Sequence, residues 1–92
     1  MDKPSFSYDS FKEKLDLQHN FPEVYIFKFI VPSKQAAAIS KIFPLDKTEK
    51  IVEKPSKAGK YVSVTAKVLM ESSEEVIRIY KKAEQVEGVI SL

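Results

Sequence analysis

The sequence predicts an α+β sandwich, a four-stranded antiparallel sheet with two helices on one face and a short N-terminal helix before it. Three observations carry this. The runs Glu23–Val31 and Lys60–Met70 are rich in β-branched and aromatic residues and read as long strands. Each is followed by a helical stretch with a serine placed to cap it, Ser33 and Ser72. The order after residue 20 is then strand, helix, strand, strand, helix, strand. Each strand–helix–strand half needs a right-handed crossover, and two interlocked halves make the ferredoxin-like split βαβ sandwich. That topology puts strands one and three side by side in the centre and leaves one sheet face bare of helices.

Taken in order, residues 1–9 read as a loose leader. Ser10 precedes Glu13 by three, a capping-box spacing, and Tyr8, Phe11 and Leu15 recur at helical intervals, which predicts a short amphipathic helix over about 10–18. His19 and Asn20 read as its end. Phe21-Pro22 is the next boundary, because proline disfavours helix in the residue before it. The leader and its helix thus occupy residues 1–20, and a single domain fills 21–92. The first strand stops at Pro32. Ser33 is placed to cap a helix over 34–43, with Ala36, Ile39, Ile42 and Phe43 as its apolar stripe and Pro44 as its stop. Residues 47–54 form a weaker strand whose lysines at 47, 50 and 54 suit an edge, where charge blocks pairing with another chain.

Pro55 to Gly59 reverses the chain into the long strand 60–70; Ser56 and Gly59 are turn chemistry there. Ser72 and Glu75 form a second capping box, and the helix behind them presents Val76, Ile79 or Tyr80, Ala83 and Val86 on one face. Gly88 is placed to end that region in a left-handed conformation, before a terminal strand over Val89–Leu92.

Composition narrows the chemistry. Fifteen basic against thirteen acidic residues give +2, too weak a bias to argue for nucleic acid or an anionic membrane. The absence of cysteine excludes disulfides, iron–sulfur clusters, thiolate metal sites and a cysteine nucleophile, and one histidine excludes a histidine-rich metal site. No metal or other cofactor is expected. Met1 to Ser5 lacks the apolar run of a secretory signal, and the most apolar stretch, Val24 to Val31, is interrupted by Lys28 and too short to span a membrane. A cytoplasmic protein is the expectation.

The open face follows from alternation. On strand three Val62, Val64, Ala66, Val68 and Met70 form an apolar set that must face the helices, which turns Tyr61, Ser63, Thr65, Lys67 and Leu69 outward. On strand one the aromatic set Tyr25, Phe27, Phe29 and Val31 has more area to bury, which turns Val24, Ile26, Lys28 and Ile30 outward. The candidate binding residues are therefore Ile26, Lys28, Ile30, Tyr61, Ser63, Thr65 and Lys67. A lysine among hydroxyls on a partly apolar sheet suits an anion, a carboxylate or a partner's backbone; the plainer reading is a half-covered solvated face. Apolar surface of this kind marks an interaction site or is covered by something. Two covers are available, the leader through Phe6, Tyr8, Phe11 and Leu15, or a second subunit. Lys47, Lys50, Lys54, Lys57 and Lys60 form a local basic cluster diluted by Glu49 and Glu53, read as edge protection.

Taken together, Phe21-Pro22-x-x-Tyr25-x-Phe27-Lys28, Lys54-Pro55-Ser56-x-x-Gly59-x-Tyr61-x-Ser63-Val64 and Glu75-Val76-x-x-Ile79-Tyr80 resemble the YbeD-like family of small bacterial proteins, a domain family of unknown function. The resemblance runs from about Phe11 to Leu92. It implies a ferredoxin-like βαββαβ fold similar to the ACT regulatory domains of amino-acid metabolism, in a cytoplasmic bacterial protein. It also implies a link to lipoate metabolism that rests on gene neighbourhood alone. The family has no established catalytic residues to carry over. This chain departs from it in a longer link, Asp16 to Asn20, before Phe21.

Three functions compete. A non-enzymatic regulatory or protein-interaction module, working through the open face by self-association or docking, fits best. An ACT-like small-molecule effector site favours a glycine at the first strand–helix turn, and Val31-Pro32-Ser33-Lys34 has none. An RNA-binding sheet needs several outward aromatics on its central strands, and only Tyr61 qualifies. Enzyme chemistry of the acylphosphatase kind needs an arginine at that same turn, whereas the sole arginine, Arg78, lies on the last helix.

Overall fold

The computed structural model describes residues 7–92, and the sheet is the one the alternation demands. Helix α1 (Tyr8–Gln18) precedes strand β1 (Glu23–Pro32); a 3₁₀ turn (Ser33–Gln35) leads into helix α2 (Ala36–Ser40). Strands β2 (Thr48–Pro55) and β3 (Tyr61–Met70), helix α3 (Ser73–Ala83) and strand β4 (Ile90–Ser91) complete the chain. The strands lie in the order β2-β3-β1-β4 and every pairing is antiparallel. β1 and β3 pair over their full length, Glu23 opposite Met70 through to Pro32 opposite Tyr61. The Phe21–Pro22 peptide, at the boundary before β1, is cis.

One apolar core lies between the sheet and the helices. Phe27, Phe29, Val31, Val64, Ala66 and Val68 come from the sheet, Ile39 from α2 and Val76 from α3, all at 0% exposure. Aromatic rings fill the middle: Phe27 lies 5.6 Å from Phe43 and 5.3 Å from Tyr80 between ring centroids, and Phe29 lies 5.7 Å from Tyr80. Two hydroxyls at the edge of this cluster face each other, Tyr25 and Tyr80 at 3.2 Å. Burial and that hydroxyl push the Tyr80 phenol above its ordinary range. The aromatic face of β1 therefore points inward, as the larger area to bury requires.

Several boundaries differ from the sequence expectation, each for a local reason. The first helix starts at Tyr8, capped by Ser7, whose side chain accepts the Ser10 N–H; Ser10 is inside the helix and does not cap it. Ser33 does not cap a ten-residue helix. Its hydroxyl donates to the Gly59 carbonyl and its N–H to the Lys60 carbonyl at 2.9 Å, so the chain makes a 3₁₀ turn and only the short α2. Half of the second capping box forms: Ser72 Oγ accepts the Glu75 N–H at 3.3 Å, but the Glu75 carboxylate accepts from the Glu71 N–H at 3.1 Å. The α3 face buries Val76, Ile77, Ile79 and Ala83, with Tyr80 half-buried. Both glycines take positive φ, Gly59 at 74° in the β2–β3 hairpin and Gly88 at 78° beside Pro32.

His19 and Asn20 are more than a helix end. Glu23 accepts the Asn20 N–H at 2.8 Å and lies 3.1 Å from His19 Nδ1, which fixes the link into β1. The His19 ring packs 5.3 Å from Tyr25 on the helix side of the sheet. Leu15 enters the core and Phe11 meets Tyr80 edge-on at 5.3 Å. Tyr8, Phe11 and Leu15 are therefore occupied on the helix side, and this part of the chain does not cover the open face. Phe6 lies outside the described residues.

Candidate functional site: the open sheet face

The ladder registers set out the open face row by row. From the β4 edge towards β2, one row reads Ile90, Ile30, Ser63, Lys54. The next reads Lys28, Thr65, Val52, and the third Ile26, Lys67, Lys50. Val24 with Leu69 and Pro32 with Tyr61 close the two ends of the central pair. All seven residues expected on this face, Ile26, Lys28, Ile30, Tyr61, Ser63, Thr65 and Lys67, belong to its outward sets. Lys28 sits opposite Thr65, with Ser63 one row away, so lysine and hydroxyls are neighbours as the alternation implied.

Exposure divides the face into tips and floor. Lys28, Lys67, Ile26 and Tyr61 are exposed, whereas Ile30, Ser63 and Thr65 are half-buried between them. A shallow cavity of about 240 Å³ lies at the hairpin corner, lined by Ile30, Lys54, Pro55, Ser56, Tyr61 and Ser63. Its wall is the hairpin turn itself, where Gly59 donates to the Ser56 carbonyl at 2.9 Å and Tyr61 donates to Ser56 Oγ at 3.2 Å. The apolar content is concentrated. Nine large apolar side chains are exposed among the described residues, and six of them, Val24, Ile26, Val52, Tyr61, Leu69 and Ile90, lie on this face.

The β2 residues here were not part of the expected site. Between Thr48 and Lys50 the β2–β3 register shifts by a bulge, which turns Lys50, Val52 and Lys54 outward. Lys47, ahead of the bulge, goes to the helix side instead and pairs with Glu75 at 3.3 Å. The Glu71 N–H, and then Lys47, hold the Glu75 carboxyl below its usual range.

Among the depressions on the helix side are two lined by charged or aromatic side chains. One, of about 280 Å³, lies between the end of α2 and α3, where Lys41, Arg78 and Lys82 surround the Lys47–Glu75 pair. The other, of about 580 Å³, is lined by Tyr8, Phe11, Tyr25, Tyr80 and Glu84 together with the C-terminal residues. Burial, and then the Glu84 carboxylate that accepts its hydroxyl proton, push the Tyr8 phenol up to about 12. No group of three or more histidine or acidic side chains is gathered in metal-binding geometry among the described residues, and no helix there is long and apolar enough to cross a membrane.

Comparison with known proteins places the chain without assigning it an activity. No curated protein and no solved structure matches it. A family model does match, over residues 16–92, which takes in the last part of α1, every strand, both later helices and the whole open face. The YbeD-like resemblance carried by the Phe21-Pro22, Lys54–Val64 and Glu75–Tyr80 words falls inside that span. The chain belongs to the DUF493 family, proteins of unknown function.

Proposed function

We propose that the chain is a non-enzymatic interaction module, regulatory in role, that docks a protein partner on its open sheet face. One observation carries the reading: six of the nine large exposed apolar side chains among the described residues sit on that face. A small domain exposes single apolar residues routinely, but their concentration on one face is characteristic of a recognition surface. In this reading each candidate residue has a role. Ile26 and Ile30 supply apolar contact, Lys28 and Lys67 reach a partner's acceptors, and Ser63 and Thr65 bond its polar groups.

Two observations weigh against the alternatives. An effector of the ACT kind would approach the first strand–helix turn, yet the Ser33 N–H and hydroxyl there are already bonded to Lys60 and Gly59. An RNA-binding sheet would need Phe27 or Phe29 outward, and both are at 0% exposure. The test is recovery of bound protein from the source cell with wild type, Ile26→Glu and Lys28→Glu as baits. The reading expects one set of partners on wild type that both variants lose while keeping the wild-type melting temperature. Equal recovery on all three folded baits would refute it.

A further inference from the structure

The charges at the ladder-paired positions of the open face are of one sign. Its ladder-paired positions include Lys28, Lys50, Lys54 and Lys67 and not one carboxylate. Lys50 and Lys67 stand directly opposite each other, an arrangement that is destabilising by itself. Among the described residues none of these four lysines makes an ion pair or a side-chain hydrogen bond. Four carboxylates are engaged elsewhere: Glu23 with His19, Asp16 with Lys12, Glu75 with Lys47, and Glu53 with Ser40 on the helix side of β2. With a net charge of only +2 for the whole chain, this segregation is a property of the face and not of the composition.

From this we infer that the occupant of the face is an acidic protein surface, one that presents Asp or Glu side chains among apolar ones. The inference rests on the interaction reading above and adds the partner's chemistry. In the rows the lysines alternate with aliphatic side chains, Lys50–Lys67–Ile26 and Lys28–Thr65–Val52, so the complement is an interleaved one. Burying such lysines is favourable only where each meets a carboxylate, which also steers the encounter and fixes register. A second copy does not meet this need. Face to face it would bring two sets of unpaired lysines together, and docked by its helix side it would meet Lys41, Arg78 and Lys82 as well as carboxylates. A nucleic acid satisfies the charge but not the rest of the surface, which offers bases a single outward ring, Tyr61, among Val24, Ile26, Val52 and Ile90.

The experiment is a binding titration of the full chain with four probes, at low and at physiological salt. The probes are a random copolymer of glutamate and tyrosine, polyglutamate, oligothymidylate, and phosphatidylglycerol–phosphatidylcholine vesicles. Sedimentation of the free protein is run alongside. Lys28→Glu with Lys67→Glu reverses charge on the face; Lys14→Glu with Lys82→Glu makes the same change of net charge elsewhere. The inference predicts tightest binding to the copolymer, weaker at higher salt, and about tenfold or more weaker for the face variant only. Equal loss in both variants, no copolymer binding, or tighter binding of oligothymidylate or vesicles would overturn it. Self-association abolished by Ile26→Glu would also overturn it, while leaving the face an interaction surface. The bait experiment judges that broader reading separately.

Discussion

Ile26 and Phe27 are neighbours in β1, and their substitution separates the two sheet faces within one peptide bond. Phe27 has 0% exposure and its ring touches those of Tyr25, Phe29, Phe43 and Tyr80. Removing it leaves a cavity ringed by aromatics that cannot collapse freely, so Phe27→Ala costs about 3–5 kcal/mol. Ile26 is 56% exposed. Ile26→Thr keeps the β-branched shape and forfeits at most part of one apolar burial, about 1 kcal/mol or less. A domain of this size is stable by about 5–14 kcal/mol, so the first change removes a large share of its stability and the second a small one. Urea unfolding followed by far-ultraviolet circular dichroism measures both. With a slope of about 1–3 kcal/mol per molar, the Phe27→Ala midpoint falls by more than 1 M and the Ile26→Thr midpoint by a few tenths. Because strand side chains alternate, a one-residue error in the face assignment would exchange the two results. A costly Ile26→Thr beside a mild Phe27→Ala would therefore refute the face assignment and the site with it.

Other consequences follow from particular contacts. Gly59 and Gly88 share a left-handed φ, but a Cβ at Gly88 would come within 2.8 Å of Pro32 Cγ whereas one at Gly59 meets nothing within 4 Å. Gly59→Ala should cost about 1–2 kcal/mol and Gly88→Ala clearly more; equal midpoints in denaturant would contradict the packing at Pro32. The folded Glu75 carboxyl titrates below its ordinary value of 4.5, so its contribution is complete above that pH and is lost as pH falls through the folded value. The stability gap between wild type and Glu75→Gln should therefore shrink between pH 7 and pH 3, and a constant gap would remove the Glu71 and Lys47 contacts from the account. Tyr80 is shifted upward from 10.0, so its contribution holds below that pH and declines as pH rises above it. Tyr80→Phe should flatten the loss of stability in alkali, measured by unfolding midpoints at pH 9 and pH 11.

The fold was legible where the chemistry was binary. β3 alternates polar with apolar from Tyr61 to Val68 and breaks the pattern only at Leu69, so one face could only be core. β1 is apolar on both faces, and only the area of Phe27 and Phe29 decided between them. The helix starts were harder to read because serine hydroxyls have competing partners. Ser7 and Ser10 stand three apart and either can cap, while Ser33 is drawn away by Gly59, a residue that is distant in sequence. Charge segregation on the open face was illegible for a sharper reason. The lysines of β2 were visible, but the bulge between Thr48 and Lys50 sets the parity that turns Lys50 and Lys54 outward, while Lys47, ahead of the strand, pairs with Glu75. Bulge position depends on pairing with β3, which local sequence does not encode.

The central claim is that the bare face of the sheet, and not the helix side, is where this protein meets its partner. Site-specific photo-crosslinking in the source cell tests it most directly, with a photoreactive residue placed at Ile26 in one variant and at Arg78 on α3 in another. The account predicts a discrete protein adduct from position 26, weakened by Lys28→Glu, and none from position 78. An adduct from position 78 with none from position 26 would contradict it.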